Sequence, residues 1–233
     1  MTKRIAVWSG PRNLSTAMMY SFAGRGDCAV VDEPFYAAYL ARSGVWHPMR
    51  DEVLASQPTD PDVVVRNLLA PKSEPLFYQK HMSHHMIDGM SRDWIGKVQN
   101  VYLIRDPVRV VASYAAKREM PDLDDLGFAQ QYALFEANPG VVIDATDIRA
   151  DPESMLQKLC EALGIRWMPS MLHWPAGGHA ADGVWSRHWY GAVHRSTGFA
   201  SPETTLPDLD AEHAKLAQAA MPYFEALASH KIT

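Results

Sequence analysis

Cysteine is almost missing from this chain: Cys28 and Cys160 are the only two among 233 residues. One widely separated pair cannot make a disulfide framework and has no zinc-type spacing, so a reducing cytoplasm is the expected compartment. Long apolar runs are missing too. None approaches the roughly 20 residues a bilayer span requires. The opening MTKRIAVWSGPR lacks the apolar stretch and small-residue cleavage site of a secretory signal, so a soluble chain with no membrane partner is expected. Positive charge is not in excess. Lys plus Arg total 22 against 27 Asp plus Glu, a formal net charge of −5, so general affinity for nucleic acid or anionic lipid is not expected. Repeats and low-complexity tracts are absent. What is there, 47% hydrophobic residues in 26.0 kDa, suffices for one substantial core, and a single domain over 1–233 is expected.

The charge is unevenly spread. No acid precedes Asp27, while Lys3, Arg4, Arg12 and Arg25 do, and residues 184–202 hold Arg187 and Arg195 without any Asp or Glu. Any anionic ligand must meet such a local basic segment. Continuous apolar runs at IAVW, CAVVD, VYLI and VVID, with the shorter LFYQKH, predict buried parallel strands. Helical patterns follow at AMMYSFAG, over 108–118, and in ADPESMLQKLCEALGI, where Asp151 is placed to cap, Pro152 to start and Gly164 to stop the helix. Strands alternating with helices of this length imply an α/β fold with a parallel sheet. Residues 43–75, with repeated prolines, predict loops and short helices bordering the active face. A last helical pattern near the C-terminus contains Pro222, predicting a kink or break.

Between the first strand and helix lies Ser9-Gly10-Pro11-Arg12-Asn13-Leu14-Ser15-Thr16. A strand running into such a loop and then a helix aims backbone N–H groups and a helix dipole at a phosphate or sulfate. Arg12 adds a donor fork, and Ser15 and Thr16 add hydroxyls. The second Gly and the Lys of the nucleoside-triphosphatase loop are missing, which weakens an ATP–magnesium reading. A plain strand-to-helix turn with a Ser cap is the alternative. Arg105 leaves the VYLI strand at its carboxyl end, where open α/β sheets bind ligands, and Ser113 follows on the next helix, so both can reach one phosphate.

Taken together, these segments resemble the sulfotransferase family. Pro11 to Thr16 is similar to its 5′-phosphosulfate loop P-K-S-G-T-T, with Arg12 for Lys and Leu14 for Gly. Arg105-Asp106-Pro107 followed by Ser113 is similar to its 3′-phosphate signature. Val142 to Gly164 is similar to a late strand and helix, and Arg195-Ser196-Thr197-Gly198 falls where a basic segment closes over the 3′-phosphate. The resemblance implies a P-loop NTPase-like three-layer α/β/α fold with a central parallel sheet. It implies 3′-phosphoadenosine 5′-phosphosulfate as co-substrate, a small-molecule acceptor and no required metal. Arg12, Asn13, Ser15, Thr16, Arg105, Ser113, Arg195 and Gly198 would bind the nucleotide. Similar domains occur joined to aminotransferase-like regions; no pyridoxal-phosphate lysine motif is seen here.

Sulfuryl transfer needs a base for the acceptor and cations for the sulfonate. Glu33, in Asp32-Glu33-Pro34 at the second strand's end, is the first candidate base and His81 the second, with Lys80 in a supporting role. His81, His84, His85 and Asp88 also have metal-like spacing, but a strand ending at His81 prevents them from sharing one helix. Trp185 with Trp189 or Tyr190 is placed to roof the adenine or acceptor pocket, unless the aromatic stripe is core. Two alternatives stay open: a nucleotide or small-molecule kinase, and a non-catalytic nucleotide-binding module. Acceptor identity and oligomeric state are not legible.

Overall fold

The computed structural model describes residues 2–116 and 121–233. Five strands, β1 (Lys3–Ser9), β2 (Cys28–Asp32), β3 (Leu76–Met82), β4 (Gln99–Ile104) and β5 (Val141–Asp144), form one parallel sheet in the order β2-β3-β1-β4-β5. All five expected strands are present. The order reverses beside β1, so the crevice at its carboxyl end opens between β3 and β4.

Helices α1 (Ser15–Ala23), α2 (Tyr36–Ser43), α3 (Arg50–Ser56) and α4 (Pro61–Leu69) precede β3. After β4 come α5 (Pro107–Ala115), α6 (Leu123–Leu126) and α7 (Phe128–Ala137). Beyond β5 are α8 (Ala145–Ala150), α9 (Pro152–Ala162), α10 (Ser186–Trp189) and α11 (Ala211–Ala228). The helix expected over 108–118 is therefore found as α5, and its last two positions lie outside the described residues. Three of these helices share one start. Asp60, Asp106 and Asp151 each precede a Pro at the first helical position, and each carboxylate accepts a backbone N–H of the first turn, from Asp62, Val108 and Ser154 at 2.9, 2.8 and 3.1 Å. Each supplies a partner for one of the donors a helix start leaves open.

The sheet is buried on both faces, as its unbroken apolar runs require. Ile5, Val7, Tyr78, Leu103 and Ile143 pack one face against Met18, Met19 and Phe22 of α1 and Leu156 and Leu159 of α9. Trp8, Phe77, Tyr102 and Ile104 pack the other against α2, Val64 and Leu68 of α4, and Leu134 and Phe135 of α7. This is the three-layer α/β/α architecture of P-loop NTPase-like proteins. Of the kink or break expected at Pro222, the break does not occur: α11 continues as one helix across it. Burial of Ala217, Ala220 and Leu227 holds the helix on both sides of the proline, offsetting the backbone hydrogen bond the ring removes.

Candidate active site

The loop from Ser9 to Ser15 is shaped by close approach and by strain. A Cβ on Gly10 would lie 2.3 Å from the carbonyl oxygen of Leu126, so no larger residue fits there. Arg12 and Leu14 take φ of 61° and 67°, in the left-handed region that costs a residue with a Cβ about 1–2 kcal/mol. Such strain persists only where surrounding bonds hold it, and they do. Asn13 Nδ2 donates to the Leu103 carbonyl at 3.1 Å, Arg12 Nε donates to Ser113 Oγ at 3.0 Å, and Arg105 Nη1 donates to the Arg12 carbonyl at 2.6 Å. The loop, the end of β4 and α5 are thereby laced into one wall. It carries Arg12, Arg105 and Ser113 around a cavity of about 330 Å³, with Asn13, Ser15 and Thr16 on the same lining.

This wall is short of negative charge. Burial and then Arg105 push the Arg12 guanidinium below its ordinary pKa, and among the described residues Arg12 makes no ion pair. Clustered, partly desolvated cations at a loop-to-helix junction are a ready site for an anion.

The opposite wall is acidic. Asp32 ends β2, and Glu33 follows with φ of 40°. Between them sits Lys80 of β3, its side chain 1% exposed, with Nζ 2.8 Å from Asp32 Oδ1, 2.5 Å from Glu33 Oε1 and 2.7 Å from the hydroxyl of Tyr190. Tyr190 also lies 2.8 Å from Asp32 Oδ2 and accepts Trp185 Nε1 at 3.0 Å. Burial raises the Glu33 pKa first, Lys80 draws it back and Asp32 raises it again, leaving it above the usual carboxylate value. Lys80 ends higher than usual: burial opposes its charge, but Asp32 and Glu33 outweigh it. The result is a fixed cation holding a carboxyl of raised basicity on the cavity wall.

His81 does not join them. Neighbouring residues on a strand face opposite sides, so Lys80 turns to the crevice and His81 to the core, where it stacks on Trp8 at 4.4 Å and packs beside Phe35 and Trp94. Burial, then Lys80, lowers its pKa to about 3. Arg195 also lies elsewhere, lining a neighbouring hollow with Asp151 and Thr197, while Gly198 borders both that hollow and the main cavity. Of the expected roof, Trp189 and Tyr190 line the cavity and Trp185 stands behind Tyr190. Tyr36, His47, Met82, His84 and His85 line it as well, without having been expected to. The signal for Met82 was available: it is two residues beyond Lys80 on the same strand face. His84 and His85 follow on a 3₁₀ turn, His85 stacked between Tyr36 and Tyr39 at 4.8 Å each. No group of three or more His, Cys, Asp or Glu among the described residues is arranged to hold a metal.

Residues 3–231 match the family model described as a sulfotransferase domain, so the chain belongs to the sulfotransferase domain family. Two curated relatives from Arabidopsis thaliana, branched-chain-amino-acid aminotransferase-like proteins 1 and 2, are 37% and 34% identical over 96% and 97% of the chain. The chain spans 41% of the length of each. Among solved structures, the sulfotransferase domain of the Synechococcus PCC 7002 olefin synthase superposes with a TM-score of 0.56 at 16% identity, covering 94% of both chains. A sulfotransferase from Alicyclobacillus acidocaldarius gives 0.57 at 11% identity over 100% of this chain and 98% of its own. At such identities these two speak for the fold.

Proposed function

We propose that the chain moves a sulfuryl group from 3′-phosphoadenosine 5′-phosphosulfate to a hydroxyl or amine of a small molecule. The observation that carries this reading is one cavity with a cationic wall of Arg12, Arg105 and Ser113 and, facing it, Glu33 held by Lys80. Arg12, Asn13, Ser15 and Thr16 would hold the 5′-phosphosulfate, and Arg105 with Ser113 the 3′-phosphate. Glu33 would take the acceptor's proton as the acceptor's oxygen or nitrogen bonds to sulfur. The sulfur–oxygen bond to the nucleotide breaks in the same step, releasing adenosine 3′,5′-bisphosphate. Lys80 keeps the carboxylate in place and offers charge beside the transferring sulfonate. Tyr36, His47, His85 and Trp189 line the acceptor end, and burial followed by neighbouring His84 and His47 keeps His85 neutral. That chemistry suits a small, largely apolar or aromatic acceptor.

Thermal shifts with adenosine 3′,5′-bisphosphate, ADP and ATP–Mg test the donor. Preference for the bisphosphate, lost in Arg105→Ala, is expected. Preference for ATP–Mg, indifferent to the 3′-phosphate and to Arg105→Ala, would make the chain a kinase instead. Tight bisphosphate binding without transfer to a broad panel of phenols, alcohols and amines would make it a binding module.

A further inference from the structure

Three guanidinium groups from separate elements converge on one carboxylate of the chain itself. Arg105 follows β4, Arg109 lies on α5 and Arg149 on α8, and Glu203 meets them from the irregular stretch 200–210 that leads into α11. Glu203 Oε1 is 2.5 Å from Arg105 Nη2 and 2.5 Å from Arg149 Nη1, and Oε2 is 3.5 Å from Arg109 Nη1. The arginines also hold the backbone around it: Arg149 Nε donates to the Ser201 carbonyl and Arg109 Nη1 to the Thr205 carbonyl, both at 2.9 Å. Apart from Leu209, which packs against the cluster of α5 and α11, the stretch is strapped down by these charges.

The cluster is not balanced. Three cations share one anion among the described residues, and Arg105 Nε and Glu203 Oε2 are buried without hydrogen-bond partners. Burial raises the pKa of Glu203, but Arg105, Arg149 and Arg109 outweigh it, so the group is an anion at neutral pH. A phosphate monoester carries close to two negative charges and three terminal oxygens, and so matches three guanidinium forks better than one carboxylate does. The cluster is also joined to the main cavity, because Arg105 lines it and Ala200, at the start of the strap, lines it too.

We infer that Arg105, Arg109 and Arg149 form a phosphate-monoester site that Glu203 fills when no ligand is bound, and that an entering phosphate displaces Glu203 together with the 200–210 strap. Only the identity of that phosphate, the 3′-phosphate of the donor nucleotide, rests on the proposed function; the site itself rests on its own charges. Glu203 then acts as an internal competitor, lowering apparent affinity by the fraction of molecules it keeps closed.

Calorimetric titration of the wild type, Glu203→Gln and Arg149→Met with adenosine 3′,5′-bisphosphate, AMP and inorganic phosphate at constant ionic strength tests this. Glu203→Gln is expected to bind the bisphosphate about tenfold more tightly and AMP unchanged, and Arg149→Met to bind the bisphosphate about tenfold more weakly. Hydrogen exchange in 200–210 of the wild type is expected to accelerate when the bisphosphate binds. Bisphosphate affinity that depends on Arg105 but is equal or weaker in Glu203→Gln would overturn the displacement and leave the donor assignment standing. If no variant binds the bisphosphate while inorganic phosphate binds Glu203→Gln more tightly than wild type, through Arg149, the anion site stands and the donor assignment falls. Indifference of all variants to both ligands refutes both.

Discussion

Replacing Lys80 by Met keeps most of the buried stem and removes the charge that two buried carboxylates share. Lys80 and Asp32 have side chains 1% exposed and Glu33 10%, with both carboxylates within 2.8 Å of Nζ, so solvent can replace little of what is lost. Breaking one buried pair costs about 3–5 kcal/mol because a charge is left uncompensated. Here two are left, and the Tyr190 hydroxyl can donate to only one of them. A loss of about 4 kcal/mol at pH 7 consumes much of a typical 5–15 kcal/mol stability. With a urea slope of about 2.5 kcal/mol per M, it lowers the midpoint by about 1.5 M. The deficit must also depend on pH. Glu33 is already raised above its ordinary value, and losing Lys80 raises it further. A carboxyl with a folded pKa above its unfolded one costs nothing below the unfolded pKa, and costs increasingly as pH climbs from there to the folded pKa. The gap between Lys80→Met and wild type should therefore narrow from pH 7 toward pH 5, by up to about 1.4 kcal/mol per unit for each extra proton bound. Adding Glu33→Gln to Lys80→Met should recover part of the loss, showing coupling between the two sites. Urea melts followed by tryptophan fluorescence at several pH values measure all three effects. A loss under about 1 kcal/mol, or a gap that stays flat over this range, refutes a charge-held site.

Glu33→Gln should lower kcat by about 10²–10⁴-fold while leaving bisphosphate affinity unchanged; full turnover would remove Glu33 from the proton path. His81→Ala should cost about 2–4 kcal/mol of stability, from lost packing against Trp8, Phe35 and Trp94, yet keep turnover per folded molecule. Abolished turnover in a well-folded His81→Ala would restore it as the base. Leu14→Gly should be more stable than Leu14→Ala by about 0.5–1 kcal/mol, because both lose the side chain but only Gly relieves the φ of 67°. Equal melting points would show that the loop is not strained there.

The strands and the first loop were legible because their signals are local. Unbroken apolar runs are what a sheet covered on both faces needs, and an Asp-Pro step sets helix starts at Asp60, Asp106 and Asp151 through the chain's own geometry. The pairing of Lys80 and His81 in one site was a misreading of the same kind of signal. With a side-chain period of two, a strand that delivers Lys80 to the crevice must send His81 to the opposite core, and Trp8, directly across in register, receives it. Asp32 and Glu33 both reach Lys80 despite being adjacent because the strand has ended: Glu33 leaves it with φ of 40°, which turns its carboxyl back onto Lys80.

The long-range pairings of the site have no local signature, although the aromatic stripe that carries Tyr190 points to the pocket. Tyr190 reaches Lys80 across 110 positions and Glu203 reaches Arg105 across 98, and neither stretch has a period that announces its partner. Both come from the C-terminal third, which closes over the sheet's carboxyl end at two points by opposite means. At the acidic wall Tyr190 inserts a neutral hydroxyl among charges already paired by Lys80, so that contact has no reason to open when an anion arrives. At the basic wall Glu203 is the counter-charge itself, and a better anion can take its place. The same segment is thus fixed where the acceptor's proton would go and exchangeable where the donor's phosphate would bind. Ligand-linked motion in this fold is accordingly expected in 200–210, with 183–195 held still.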